Sequence, residues 1–199
     1  MNHRTHSRSA AQIIALLGVI AIAGNAHADS ADSRWQVSFP IYVAAGAYYQ
    51  SNAEASSTFQ AVAGSAELLF SSRKRPYSIG LFAVQVFSPD GRQSGAFIAG
   101  GLIKHQLRNW DTTANLLKYD SRSAKGVWKY FGRVRYRFAD KHKLGIEVVG
   151  SLRDPIASNL MVGYYGTISR SLSVKLVVGS RFSAGQNRVA RTELVWQFN

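Results

Sequence analysis

The sequence predicts an all-β protein: a closed antiparallel up-and-down barrel whose strands cross a membrane. Three observations carry that expectation. Apolar and polar residues alternate with period two along most of the chain, and helical periodicity is nearly absent. The alternating segments run about 10–15 residues, long for a soluble sandwich but suited to a tilted membrane strand. Aromatic residues gather near segment ends, at Trp35, Tyr77, Tyr136, Phe138, Phe182, Trp196 and Phe198, as membrane girdles require. A soluble sheet with its apolar face in a core is the alternative source of such alternation.

Residues 1–28 read as a cleavable export signal. Arg4 and Arg8 precede the apolar run AAQIIALLGVIAIAG, and Ala26-His27-Ala28 offers small residues where a signal peptidase cuts. The uninterrupted core Ile13–Ala23 is too short to span a bilayer. Residues 29–199 are then one barrel domain. The chain has no cysteine, which excludes disulfides, thiolate metal sites and lipid attachment at cysteine. Lys and Arg number 24 against 11 Asp and Glu. That balance suggests nucleic acid in a cytosolic protein. In an exported chain it points instead to anionic lipid, polysaccharide or a charged interior.

Candidate strands follow at 34–49, 57–70, 77–87, 94–108, 126–138, 143–153, 159–169, 172–182 and 188–198. Turn-rich pieces separate them: SSRKRP, SPDGRQ, ADKH, RDPIAS, SRS and SAGQN. Bacterial barrels have even strand counts. Eight is therefore the expected number, with a merged or non-spanning segment before residue 94; ten is the alternative, if TTANLLKYD hides another strand. Counted back from the C-terminus, SRS, ADKH and SPDGR fall on the periplasmic side, and 109–125 is the long external loop.

The last segment, TELVWQFN, resembles the C-terminal strand of Gram-negative outer-membrane barrels, with Leu194, Trp196 and Phe198 matching the signal read during assembly. Asn199 departs from it by placing the Phe one residue from the end. With the leader and the strand rhythm, the chain resembles small barrels of the OmpA and OmpX transmembrane class. That resemblance implies an outer-membrane location, contact with outer-membrane lipid and lipopolysaccharide, recognition by the barrel-assembly machinery, and a monomer.

The stretch GVWKYFGRVRYRF puts aromatics on one face and Lys129, Arg133, Arg135 and Arg137 on the other. Same-face neighbours stand roughly 7 Å apart. Two like charges there repel by about 2 kcal/mol at an effective dielectric near 20, so these cations need partners. Pairing across ADKH places Glu147 opposite Arg133 or Arg135. Glu193 should likewise fall near Lys175, and Glu67 is a third inward acid. By the same parity Lys143, Arg153, Lys175, Arg181 and Arg191 face inward, nine bases against three acids. Unpaired buried charge is costly, so a wet, positive lumen follows.

Three roles fit. The leading one is a non-catalytic structural or surface-interaction barrel braced by this network. The second is a narrow anion-preferring channel, or the barrel part of an envelope export system. The third is an enzyme acting on lipid A, for which only a dispersed Ser121 or Ser123, Asp120 and His105 set is on offer. Arg73, Lys74 and Arg75 form a basic turn that would grip lipopolysaccharide phosphates if exposed outside, or simply be solvated. His105 and His142 stand far apart in sequence, so no metal or other cofactor is expected.

Overall fold

The computed structural model describes residues 36–51, 56–71, 76–87, 95–121, 125–154, 158–181 and 187–198. The expected leader, Trp35, Phe182 and the basic run Arg73, Lys74 and Arg75 lie outside the described residues. The strands are β1 (Gln36–Ser38), β2 (Ile41–Ser51), β3 (Ser56–Ser71), β4 (Tyr77–Phe87), β5 (Ala96–Leu107), β6 (Trp110–Asp120), β7 (Val127–Ala139), β8 (His142–Ser151), β9 (Asn159–Thr167), β10 (Leu172–Arg181) and β11 (Arg188–Phe198).

From β2 onward each strand pairs antiparallel with the next, and β11 closes on β2 from Arg188↔Ser51 to Phe198↔Ile41. The result is a closed barrel of β2 to β11, in which each of these strands has a neighbour on both sides. β1 is a short extension of β2. Gln36↔Ser71 and Ile41↔Ala66 lie on one register against β3, interrupted only at Phe39-Pro40. Proline has no N–H to give the ladder, although the Pro40 carbonyl still accepts from Glu67 N at 3.0 Å.

The barrel proper, β2 to β11, therefore has ten strands rather than the expected eight. All nine sequence segments are strands, and the tenth is β6, which contains TTANLLKYD as the ten-strand alternative has it, inside the stretch expected to be an external loop. The turn that starts it, Arg108-Asn109, carries no glycine, and Arg108 takes the left-handed φ of 46°. Tight hairpins favour Asn-Gly or Asp-Gly at such positions, so the turn is unmarked in the sequence. The alternation is also blurred, because Thr112 and Thr113 place the same residue type on both faces.

That extra turn reverses the side of every connection before it. The turns at 108–109, 140–141 and 168–171 lie at the end carrying Phe198 and Ile41, called here the near end. Val86 and Ala96, which flank SPDGR, pair at the opposite, far end; SPDGR itself lies outside the described residues. The near end thus carries the short turns at 108–109 and 140–141. β3 and β4 also meet at the near end, through Ser71↔Ser78.

Apolar residues point outward. Leu81, Val162 and Val178 are 60, 56 and 61% exposed on the barrel's outer face. Around the near end runs an aromatic girdle: Trp110 against Tyr136 with centroids 4.9 Å apart, then Phe138, His142 and Tyr164 stacked in turn. The Tyr164 hydroxyl is 2.6 Å from His142 Nδ1. The glycines Gly100 and Gly101 sit in an unbroken ladder, and a register shift falls between Arg137 and Ala139.

The inner face divides along the axis. Ala61, Ala96, Leu102, Met161 and Val177 are buried within it, toward the middle and far end. Most charged side chains occupy the middle and the near end, with Lys129 and Arg181 toward the far end.

Candidate functional site: the charged lumen

Period-two geometry aims Lys129, Arg133, Arg135 and Arg137 of β7 into the barrel. The expected pairing is realised: Arg133 faces Glu147 across the hairpin, and Lys175 faces Glu193. Glu147 is the centre of the network and is fully buried. Its carboxylate accepts from Arg191 Nη2, from Lys175 Nζ at 2.8 Å and from the Tyr165 hydroxyl at 2.8 Å. Arg133 Nη1 stands off at 3.9 Å. Glu193 accepts from the Tyr48 hydroxyl at 2.7 Å and lies 3.3 Å from Arg191 Nε and 3.6 Å from Lys175 Nζ.

A second cluster lies toward the near end. Asp111 accepts from Arg135 Nε at 2.5 Å and from Lys143 Nζ at 2.7 Å. Gly145 makes this possible. It pairs with Arg135, and a Cβ there would sit 2.8 Å from Arg135 Cγ and 2.5 Å from the Val134 carbonyl. Glu67 pairs with Lys104 in a third cluster.

Arg133 lies between the clusters with its donors poorly used. Nη2 reaches Thr113 Oγ1 only at 3.4 Å, and Nε is buried without a hydrogen-bond partner. Beside it, at the near end, is a cavity of about 450 Å³ whose lining includes Lys104, Asp111, Thr113, Arg133, Arg135 and Lys143.

The remaining expected residues scatter. Lys129 lies toward the far end, its ammonium 4.0 Å from the centre of the Tyr119 ring. Arg137 sits opposite Lys143 at the end of β7. Arg181 Nη2 is 4.0 Å from Asp154 at the far rim. Arg153 is the correction: it lies past the end of β8, exposed, because the strand stops at Ser151. Leu194, Trp196 and Phe198 alternate with the inward residues Glu193 and Gln197 and so share the outer face of β11.

Sequence reasoning missed Asp111, Lys104, Thr113, Tyr48 and Tyr165. Asp111 went with the unmarked strand β6. Lys104 follows inward Ala96, Ile98, Gly100 and Leu102, an apolar row that conceals which face is the lumen. The dispersed catalytic set does not assemble. Asp120 pairs with Phe97 and His105 with Thr112, which places them about 27 Å apart along β5 at 3.3–3.4 Å per residue. Ser123 lies outside the described residues.

No protein-family model matches the chain, and no curated protein matches it. Solved structures do. The KdgM porin in complex with disordered oligogalacturonate aligns at TM-score 0.50 and 9% identity, over 80% of this chain and 99% of that one. The chain has the fold of an outer-membrane β-barrel. A second KdgM porin structure gives 0.48 at 9% identity, over 80% and 99% of the two chains. A mutant of the Rhodopseudomonas blastica porin gives 0.34 at 9%, over 82% and 100%.

Proposed function

We propose that the chain is an exported outer-membrane channel, narrow and anion-preferring, rather than a purely structural barrel. One observation carries this reading: the near-end cavity is lined by four cations, Lys104, Arg133, Arg135 and Lys143, against one carboxylate, Asp111. Clustered Arg and Lys are what a pore uses to admit anions. A scaffold network would instead match its charges, since surplus buried cations cost stability. A KdgM porin of this fold class occurs in complex with oligogalacturonate, which supports a solute-passing role. Leu194, Trp196 and Phe198 on the outer face of β11 would serve the assembly machinery, with lipid as the barrel's surroundings.

The test is single-channel recording of the refolded barrel in planar bilayers under a salt gradient, comparing wild type with Arg133→Ala/Arg135→Ala. Heat-modifiable gel migration first confirms that each protein folds. The expected result is anion-selective conductance whose selectivity falls in the double variant. A folded wild-type barrel that passes no current would overturn the reading.

A further inference from the structure

The near-end cavity does more than favour anions in general. Its charges can be matched one by one. Lys104 is taken by Glu67. Asp111 is shared by Arg135 and Lys143, which leaves one positive charge over. Glu147 and Glu193 are occupied by Lys175 and Arg191, which leaves Arg133 over. Two unmatched positive charges therefore sit in the wall of one cavity.

Arg133 also has the free chemistry to use one of them. A guanidinium carries five N–H donors in a planar fork. Here Nε has no partner, Nη2 has only a 3.4 Å contact to Thr113, and Nη1 is 3.9 Å from a carboxylate already held by others. Such a fork matches the paired oxygens of a carboxylate or a phosphoryl group. Arg135 lies two residues along the same face, roughly 7 Å away. The cavity, at about 450 Å³, is within the range of small-molecule sites.

We infer that this cavity binds a small oxyanion of two negative charges, with Arg133 taking one acidic group bidentately and the Arg135–Lys143 pair taking the second charge. The inference rests on the channel reading in that it names the solute class, but binding is measurable whether or not the barrel conducts. The site lies at the near end, whose short turns are of the kind that the periplasmic side of such barrels carries.

The experiment is isothermal titration of the refolded barrel in detergent and a zwitterionic buffer, with inorganic phosphate and with succinate as separate titrants. Saturable binding of one equivalent is expected. Arg133→Gln should weaken it at least tenfold, and Arg133→Lys, which keeps the charge and loses the fork, several-fold. Lys118→Gln removes a cation from the outer face of β6 and should leave binding unchanged. Tighter binding of phosphate assigns a phosphoryl solute, and tighter binding of succinate a dicarboxylate. No binding of either by the folded wild type overturns the site, even if the barrel proves to be an anion channel. So does binding that Arg133→Gln leaves intact. Absence of conductance with binding present overturns the channel reading alone.

Discussion

Glu147 and Arg133 face each other in the register, yet the geometry assigns them opposite energetic roles. At an effective dielectric of about 20, the 2.8 Å contact from Lys175 to Glu147 is a gross attraction of about 6 kcal/mol. The same estimate at the 3.9 Å of Arg133 gives about 4 kcal/mol, from which repulsion by nearby Arg135 and Lys175 must be subtracted. Glu147→Gln leaves Lys175, Arg191 and Arg133 around a neutral amide in a fully buried position. Removing one partner of a buried ion pair costs about 3–5 kcal/mol. Arg133→Gln removes a surplus cation and should cost less than about 1 kcal/mol. In the double variant, part of the Glu147→Gln loss should return, by about 1–2 kcal/mol, a coupling typical of neighbours in one network. The assay is urea unfolding of the barrel refolded into lipid vesicles, followed by tryptophan fluorescence. Equal losses for the two single variants, or no recovery in the double, would refute the assignment of Arg133 as the unmatched cation.

Two further tests address the frame around the site. Gly145→Ala should drive Arg135 off Asp111, because the new methyl would meet Arg135 Cγ at 2.8 Å and a backbone carbonyl at 2.5 Å; overpacking of this kind costs about 1–3 kcal/mol, read in the same unfolding assay. Val162→Arg, on the outer face between Ile146 and Val178, puts a cation in the bilayer and should cost about 2–4 kcal/mol in vesicles. A neutral outcome in vesicles would place that face away from lipid.

The sequence made the outward face legible and half concealed the inward one, for a physical reason. Lipid favours apolar residues, so the outer face of β7 to β11 is mostly Val, Leu, Ile and aromatics at its middle, with Gly132 and Thr192 as exceptions, and period two stands out. The interior accepts anything that fits and finds a partner. Where it holds charge, as with Arg133, Glu147, Lys175 and Glu193, alternation and register follow from the sequence. Where it holds Ala, Leu or Met, as in β3, β5 and β9, inside and outside look alike, and the inward direction of Lys104 was lost. The strand count failed at one hairpin. Without glycine at Arg108-Asn109 the chain turns on a residue that the sequence gives no reason to expect at positive φ, and Asp111 was lost with it.

The recovery of Asp111 changes what the lumen is. Counted without it, the interior was nine bases against three acids, a diffuse positive tube. With Asp111 and Lys104 in place, most of the charge resolves into local groups: Glu67 with Lys104, Asp111 with Arg135 and Lys143, and the Glu147–Glu193 hub with Lys175 and Arg191. The surplus falls only from six to five, since Arg153 leaves the lumen as Lys104 and Asp111 enter it, and two of the five, at Arg133 and at the Arg135–Lys143 pair, lie beside one near-end cavity. The rest of the described inner wall mixes apolar and charged residues: Met161 pairs with Glu147 and Val177 with Arg191, while Lys129 and Arg181 lie toward the far end. On the channel reading proposed above, selection among solutes would therefore fall to the near-end cavity rather than to the tube as a whole.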